Sequence, residues 1–483
     1  MNRKMVFRIF GRIAALEGLL LLFPAVVSLI YGEFRAMWSF IAVAAGAALV
    51  GFLLMRFIKP NNSLIYAKEG FATVAVVWIG MSVIGALPFV ISGEIPDFVD
   101  ALFETVSGFT TTGASLLRDV ESLGKGMLFW RSFTHWLGGM GVLVFIMAIA
   151  NNISGRTIHI MRAEMPGPVV GKLVPKVKDT AKILYLIYIA LTVLEMIFLL
   201  IGGMTPFESA VHSFGTAGTG GFGIKADSIG GYSPYIQWVI TVFMLLFGIN
   251  FNLYYLILIK RFRAAFSGKE LWVYFGIYAV ATAIIAANIY PIYSSVGETF
   301  RQAAFTTASI VTTTGYSISD FNIWPQLSRG VIFILLFFGG CAGSTAGGLK
   351  ISRIMLLFKL IRREFRKLLR PRSVSSVNVD SKPVEEETLS SVSNYFALYI
   401  LTIGITFLLI CFEPFGIESN LSAAISCVNN VGPGFGIVGP MGGYADYSAF
   451  SKIVLSFAML LGRLEIYPMI LALAPATWMS KRA

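Results

Sequence analysis

Four short segments of this chain carry backbone that could replace the water around a cation. Thr110, Thr111, Thr112 and Gly113 are spelled again as Thr312, Thr313, Thr314 and Gly315, and each set has a serine six residues before its glycine, Ser107 and Ser309. A third segment, Asn429, Asn430, Val431 and Gly432, keeps that spacing from Ser426. The fourth, Gly215-Thr216-Ala217-Gly218, lies in an equivalent gap, with Phe214 standing where Phe109 stands in the first. It runs on through Thr219, Gly220 and Gly221, so its key glycine is read as Gly218, with Gly220 as the alternative register. Glycine admits backbone angles closed to other residues, which lets consecutive carbonyls point the same way. Four such loops could form a pseudo-fourfold ring of carbonyls around a dehydrated ion.

The elements that must hold those loops are membrane helices. The chain has 483 residues, 56% of them hydrophobic and 13% charged. Apolar runs long enough to cross a hydrocarbon core of about 30 Å recur throughout. They fall near residues 8–30, 36–58, 70–92, 127–150, 181–203, 235–259, 271–292, 328–357, 392–412 and 449–478. The expected fold is an all-α integral membrane protein of about ten transmembrane helices. The first span follows Met1-Asn2-Arg3-Lys4 without a small-residue cleavage site, so it is read as retained.

A repeat organises the spans. Two N-terminal helices (1–62) precede four helix–pore-loop–helix units at 63–155, 175–265, 268–372 and 392–483, with a cytoplasmic linker at 373–391. The second span of every unit carries a matching signature: Leu137-Gly138-Gly139-Met140-Gly141, Phe247-Gly248-Ile249-Asn250, Phe338-Gly339-Gly340-Cys341-Ala342-Gly343 and Leu461-Gly462-Arg463-Leu464. The apolar segments before the glycine loops are too short to span and are expected to re-enter as half-helices. Irregular backbone at membrane depth survives only inside protein or against water. A half-helix ending at its loop turns a negative dipole end toward the ion. One Thr-Gly run alone would be an ordinary small-residue packing site; four in register favour a pore.

Two further features suggest a gate below the ring. The third unit holds five glycines within residues 339–348, each costing a helix roughly 1 kcal/mol relative to alanine. The stretch should therefore unwind into an intramembrane loop, with Gly343, Ser344, Thr345, Ala346, Gly347 and Gly348 as candidate gate residues. Arg463 sits inside the last span, where a charge costs on the order of 2.5–3.5 kcal/mol. It is expected to bond the loop carbonyls or to raise an electrostatic barrier, against the alternative of a local pair with Glu465. Lys350, at the loop's end, is grouped with the gate and expected to snorkel to the cytoplasmic interface. Asn250 and Asn252 are read as hydrogen bonds between helices, and the basic run from Arg362 to Arg372 as an interfacial or solvated face.

The net charge of +12 could indicate nucleic acid, but its distribution excludes that. Lys and Arg crowd alternate loops, at Arg56 and Lys59, 156–182, 260–269, 359–372, and Lys481 and Arg482. The intervening loops are richer in acids, including Glu94, Asp97, Asp100, Glu104, Glu208, Glu298 and Glu413. This positive-inside pattern places both termini in the cytoplasm, with an acidic outer face expected to concentrate cations at the pore mouth. Cys341, Cys411 and Cys427 show no metal-ligand spacing and read as small core residues. No grouping of nucleophile, base and metal ligands suggests an enzyme.

The loops, the four units and the 339–348 interruption together resemble the Trk/Ktr/HKT superfamily of potassium transporters, over essentially the whole chain. The two extra N-terminal spans and the length favour its bacterial TrkH branch. The resemblance implies potassium uptake across the bacterial cytoplasmic membrane, with K⁺ as substrate and no covalent cofactor. It also implies a homodimer with one pore per protomer, regulated by a cytoplasmic nucleotide-binding subunit of the TrkA type. Glycine in every loop is the family pattern associated with K⁺ selectivity, whereas Asn429 and Asn430 in place of threonines make the ring asymmetric. The runner-up is a Na⁺-permeable relative or a Na⁺- or H⁺-coupled symporter. A conventional alternating-access symporter would need intramembrane carboxylates, for which Glu195 and Glu465 are the few candidates.

Overall fold

The computed structural model describes residues 2–59, 67–141, 177–371, 376–379 and 382–478. Its elements are α1 (Arg3–Leu20), α2 (Leu22–Ile30), α3 (Phe34–Phe57), α4 (Ala67–Ser92), α5 (Phe98–Phe109), α6 (Lys125–Gly139), α7 (Val177–Ile201), α8 (Pro206–Gly218), α9 (Pro234–Phe247), α10 (Phe251–Leu258), α11 (Lys269–Ile289), α12 (Val296–Val311), α13 (Gln326–Leu335), α14 (Ile351–Leu369), α15 (Glu386–Ile410), α16 (Ile417–Asn429), α17 (Ala449–Arg463) and α18 (Tyr467–Leu473). A two-residue hairpin pairs Asn378–Val379 with Lys382–Pro383. The protein is an all-α membrane protein.

Six stretches among the described residues are long and apolar enough to cross a membrane: Arg3–Ile30, Phe34–Phe57, Lys68–Ser92, Asp179–Ile201, Lys269–Ile292 and Glu386–Ile410. Three spans expected to be continuous are broken, and a fourth, 328–357, unwinds as its glycines predict. Within 235–259, α9 and α10 meet at 91° across Gly248–Asn250. Within 449–478, α17 stops at Arg463, and Glu465 and Ile466 turn the chain through positive φ. Within 328–357, residues 336–350 are not helical. Within 127–150, α6 ends at Gly139 and Gly141 has φ +78°; the remainder lies outside the described residues, as do most of the basic stretch 156–182, Arg372, and Lys481 and Arg482.

Each break coincides with the signature shared by the second helices, and in the first and fourth units its glycine packs closely against a half-helix. A side chain at Gly138 would meet the Phe109 carbonyl at 1.9 Å, and one at Gly462 the Val428 carbonyl at 2.0 Å. Phe109 and Val428 are each four residues before their loop glycine, so the first and fourth units make the same contact. The N-terminal pair packs just as tightly. A Cβ on Gly51 would lie 2.5 Å from the Gly11 carbonyl, and one on Gly18 2.7 Å from that of Ala44, the small-residue approach typical of helices in lipid.

The half-helices α5, α8 and α12 start from strong side-chain N-caps, whereas α16 (Ile417–Asn429) starts behind Gly416 without one. Asp97 accepts from the amides of Val99 and Asp100. Thr205 and Glu208 form a capping box behind Pro206, and Ser295 accepts from Glu298. These caps satisfy amides that would otherwise be orphaned at the helix start. Several of the loop acids expected at the pore mouth are also engaged by specific partners. Asp100 pairs with Lys452 at 2.7 Å, Glu94 accepts from Gly124 N, and Glu413 accepts from Ser448 and Ser451 at the start of α17.

Candidate functional site

All four half-helices end in the same turn. The amides of Thr111, Thr219, Thr313 and Asn430 bond the carbonyl three residues back, and the amides of Thr112, Gly220, Thr314 and Val431 bond the carbonyl five residues back. Those acceptors are Gly108, Thr216, Ile310 and Cys427 in the first set and Ser107, Gly215, Ser309 and Ser426 in the second. This is the Schellman pattern, whose turning residue adopts the left-handed conformation and is usually glycine. Here Thr111, Thr219, Thr313 and Asn430 occupy it, at φ of +54°, +56°, +55° and +54°. For a threonine that conformation costs roughly 1–2 kcal/mol, so tertiary packing must impose it. Two residues on, Gly113, Gly221, Gly315 and Gly432 again have positive φ, between +75° and +99°.

These glycines interlock. A Cβ on Gly113 would meet the Gly220 carbonyl at 1.9 Å, and one on Gly221 the Thr314 carbonyl at 2.0 Å. One on Gly315 would meet the Val431 carbonyl at 2.2 Å, and one on Gly432 the Thr112 carbonyl at 2.6 Å. Each loop nests its glycine against the carbonyl of the next, and the fourth returns to the first. The circuit closes.

The second register therefore differs from expectation. Neither Gly218 nor Gly220 is the turning glycine; Gly221 is. Thr216, Ala217 and Gly218 belong to the last turn of α8, with Gly218 pressed on the His135 carbonyl, 2.3 Å from a would-be Cβ. The shared spacing was legible after all: six residues before Gly221 stands Gly215, whose carbonyl does the work of Ser107, Ser309 and Ser426. Matching Phe214 to Phe109 hid it by three residues. Thr219 and Gly220 remain in the loop, as do Thr111 to Gly113, Thr313 to Gly315 and Asn430 to Gly432; Thr110, Thr312 and Asn429 lie where helix gives way to loop. Asn430 suits its site because asparagine tolerates the left-handed conformation and its amide donates to Thr112 Oγ1 at 3.0 Å and to Met459 O at 2.9 Å.

A cavity of about 520 Å³ touches all four glycines on one side. Its walls include Arg118, Arg131 and Lys225 against a single acid, Asp446, which pairs with Arg118. Arg131 is buried and salt-bridged to Glu104 at 2.7 Å. Glu104 also accepts from Ser115 Oγ at 2.9 Å and from Leu116 N at 3.1 Å, fixing the loop beyond Gly113 to α5.

On the opposite side lies the glycine-rich loop of residues 336–350. Gly347 N donates to Thr313 Oγ1 at 2.7 Å, and a Cβ on Gly347 would sit 2.5 Å from the Asn429 carbonyl. Cys341 N donates to Gly248 O at 2.9 Å and Thr345 Oγ1 to Phe247 O at 3.2 Å. Glu270 Oε1 accepts from Ala342 N at 2.7 Å and Ser352 N at 3.1 Å, tying the middle of the loop and the start of α14 to α11. Arg463 donates to Thr345 O at 2.8 Å and to the carbonyls of Gly138 and Gly139 at 2.6 and 2.8 Å, as one expectation had it. Glu465 pairs with Arg353 at 2.5 Å instead. Lys350 does not snorkel: it is 2% exposed and its ammonium turns back to Ala346 O. Asn250 caps α10 through Asn252 N at 2.9 Å rather than bridging helices.

The TrkH family, described as cation transport protein, matches residues 36–273 and 271–480. The Trk system potassium uptake protein TrkH of Salmonella typhimurium is 34% identical over 99% of this chain and 100% of its own length. TrkG of Escherichia coli is 32% identical over 99% of both chains. The crystal structure of the potassium transporter TrkH from Vibrio parahaemolyticus superposes with a TM-score of 0.88 at 30% identity, covering 99% of this chain and 100% of that one. The chain belongs to the TrkH family.

Several residues that hold this TrkH-family site gave no signal in the sequence. His135 Nδ1 lies 2.7 Å from Gly108 O, and its ring packs 4.2 Å from that of Phe222 behind the second loop. Tyr444 donates to Gly432 O at 2.8 Å, and Tyr399 to Asn429 Oδ1 at 2.7 Å. Tyr316 O accepts at 2.6 Å from the hydroxyl of Ser309, a residue that the six-residue spacing already marks. A lone aromatic or histidine in an apolar run looks like core, and only the three-dimensional neighbour reveals its use. Of the cysteines expected in the core, Cys341 and Cys427 are buried but Cys411 is exposed.

Proposed function

We propose that this chain takes up potassium across the bacterial cytoplasmic membrane by passing it, dehydrated, through the ring of loop carbonyls. The closed circuit of Gly113, Gly221, Gly315 and Gly432 carries the reading, because it sets four sequence-distant loops around one axis with their carbonyls consecutive. The negative ends of four half-helices aim at the same place and favour a cation. The glycine-rich loop is the barrier beneath the ring, with Arg463 and Lys350 holding it shut by bonds to Thr345 O and Ala346 O. We read both termini as cytoplasmic, the four units as the repeats given by sequence, and the assembly as a homodimer served by a TrkA-type nucleotide-binding subunit.

The test is cation flux into proteoliposomes holding the purified chain, comparing K⁺, Rb⁺, Na⁺ and Li⁺ under an imposed potential. Rapid K⁺ and Rb⁺ entry with little Na⁺ is expected. Equal Na⁺ entry would favour the Na⁺-permeable alternative. Dependence on a proton gradient would favour coupling, for which Glu195, fully buried and with both carboxylate oxygens unpaired, is the group to mutate.

A further inference from the structure

Where α14 leaves the intramembrane loop it carries two distinct faces. Lys359, Arg362, Arg363 and Arg366 stand at i, i+3, i+4 and i+7 on one. Phe358, Ile361, Phe365 and Leu368 form the adjoining one, with Phe358 66%, Phe365 64% and Leu368 78% exposed. The basic face closes on the strand segment after it to make a cavity of about 210 Å³, lined by the four cations and by Ser376 and Asn378.

The cations in this cavity are unequally committed. Lys359 Nζ donates to Asn378 O at 2.7 Å, which fastens the wall to the helix. Arg363 is paired with Glu386 at 2.5 Å and reaches Glu364 at 3.4 Å. Arg362 and Arg366 have no acidic partner among the described residues. Ser376 Oγ, 3.4 Å from Asn378 Oδ1, adds a hydroxyl to the rim. Two guanidinium forks, an ammonium and a hydroxyl around a small cavity suit the oxygens of a phosphate. The apolar face beside it decides the source, since a soluble phosphate has no use for exposed Phe358, Phe365 and Leu368, whereas a lipid's acyl chains would cover them. Helices with this division of faces lie along the membrane interface.

We propose that this pocket binds the headgroup phosphate of an anionic phospholipid, with its acyl chains along the Phe358–Phe365–Leu368 face. The lipid would brace α14, and through Lys350 the glycine-rich loop, from the membrane side. The site requires α14 to emerge on the cytoplasmic side but does not involve ion conduction through the ring, so either idea can fail alone.

Native mass spectrometry of the full-length protein, equilibrated in detergent with phosphatidylglycerol or phosphatidylcholine, reads the occupancy directly. Wild type should retain phosphatidylglycerol in preference to phosphatidylcholine. The double substitution Arg362→Gln and Arg366→Gln should lower that retention by roughly twentyfold, from about fivefold per basic residue facing an anionic headgroup. Arg362→Lys with Arg366→Lys, which keeps the charge, should lose less than the glutamine pair. No preference in the wild type, or undiminished retention in the glutamine pair, would overturn the proposal. So would equal displacement of the lipid by millimolar inorganic phosphate, because the pocket would then be a soluble-anion site.

Discussion

At the residue scale, the closed circuit gives each loop glycine a reason that no other side chain can meet. Gly221 has φ +75° and faces the Thr314 carbonyl, whereas Gly218 is helical and faces α6. Gly221→Ala should therefore distort the ring. A penalty of roughly 1–2 kcal/mol for the left-handed backbone predicts that the ratio of Rb⁺ to Na⁺ uptake in proteoliposomes falls about five- to thirtyfold. Gly218→Ala should instead lower thermal stability, by about 1–3 kcal/mol for an overpacked contact, while folded protein keeps its ion preference. A change of selectivity confined to Gly218→Ala would return the register to the earlier glycine. The sequence could have settled this point: the six-residue spacing holds in all four loops once the backbone carbonyl, not the serine hydroxyl, is seen as the conserved requirement of the turn.

At the element scale, the half-helices and the unwound third span were legible because their signals are local. Short apolar length, N-capping residues and glycine density all act within one turn or two. The breaks in the other three second helices were not legible, although their signatures were in plain view. One or two glycines are compatible with a straight helix in lipid. The first and fourth of these helices end where a half-helix carbonyl, Phe109 O or Val428 O, presses on the glycine, and the second where Gly248 meets the Tyr274 hydroxyl. The long loop in the third unit is held by Arg463, Lys350 and Glu270 rather than by its own backbone ladder. Replacing Arg463 with Ala, or deleting residues 343–347, should raise Rb⁺ flux several-fold in reconstituted protein, since each removes donors or chain that fix the barrier. Unchanged or lower flux from variants with wild-type melting curves would assign these residues to packing alone.

For the whole molecule, composition indicated the class, because the membrane imposes it on the entire chain, and loop charge predicts a direction of insertion. Charge did not reveal what the outer acids do, since capping and ion pairing are decided by helix starts, as with Glu413 and Ser448. Orientation can be tested with the native cysteines. Cys411 follows α15 on the side of the half-helix starts, and Cys341 and Cys427 are buried. A membrane-impermeant maleimide applied to intact cells should label one cysteine per chain, and Cys411→Ser should abolish the signal. Labelling that appears only after permeabilisation would invert the proposed topology.

The head-to-tail nesting of the four loop glycines also bears on how such a protein can change over generations. In a ring of four identical subunits, any substitution lands in every quarter at once. Here the quarters are joined in one chain, and each loop glycine nests against the carbonyl of the next loop around the circuit. One quarter can therefore take on a specialised part while the others keep the ring intact. The third has done so with its long unwound loop, the fourth with asparagine where the others use threonine, and the second with glycine where the first and third keep a serine. Tethering keeps the quarters at high effective concentration, so divergence need not weaken assembly. Swapping a whole quarter should then be tolerated better than exchanging a single loop, because a loop must match both of its neighbours while a quarter brings its own supporting helices with it.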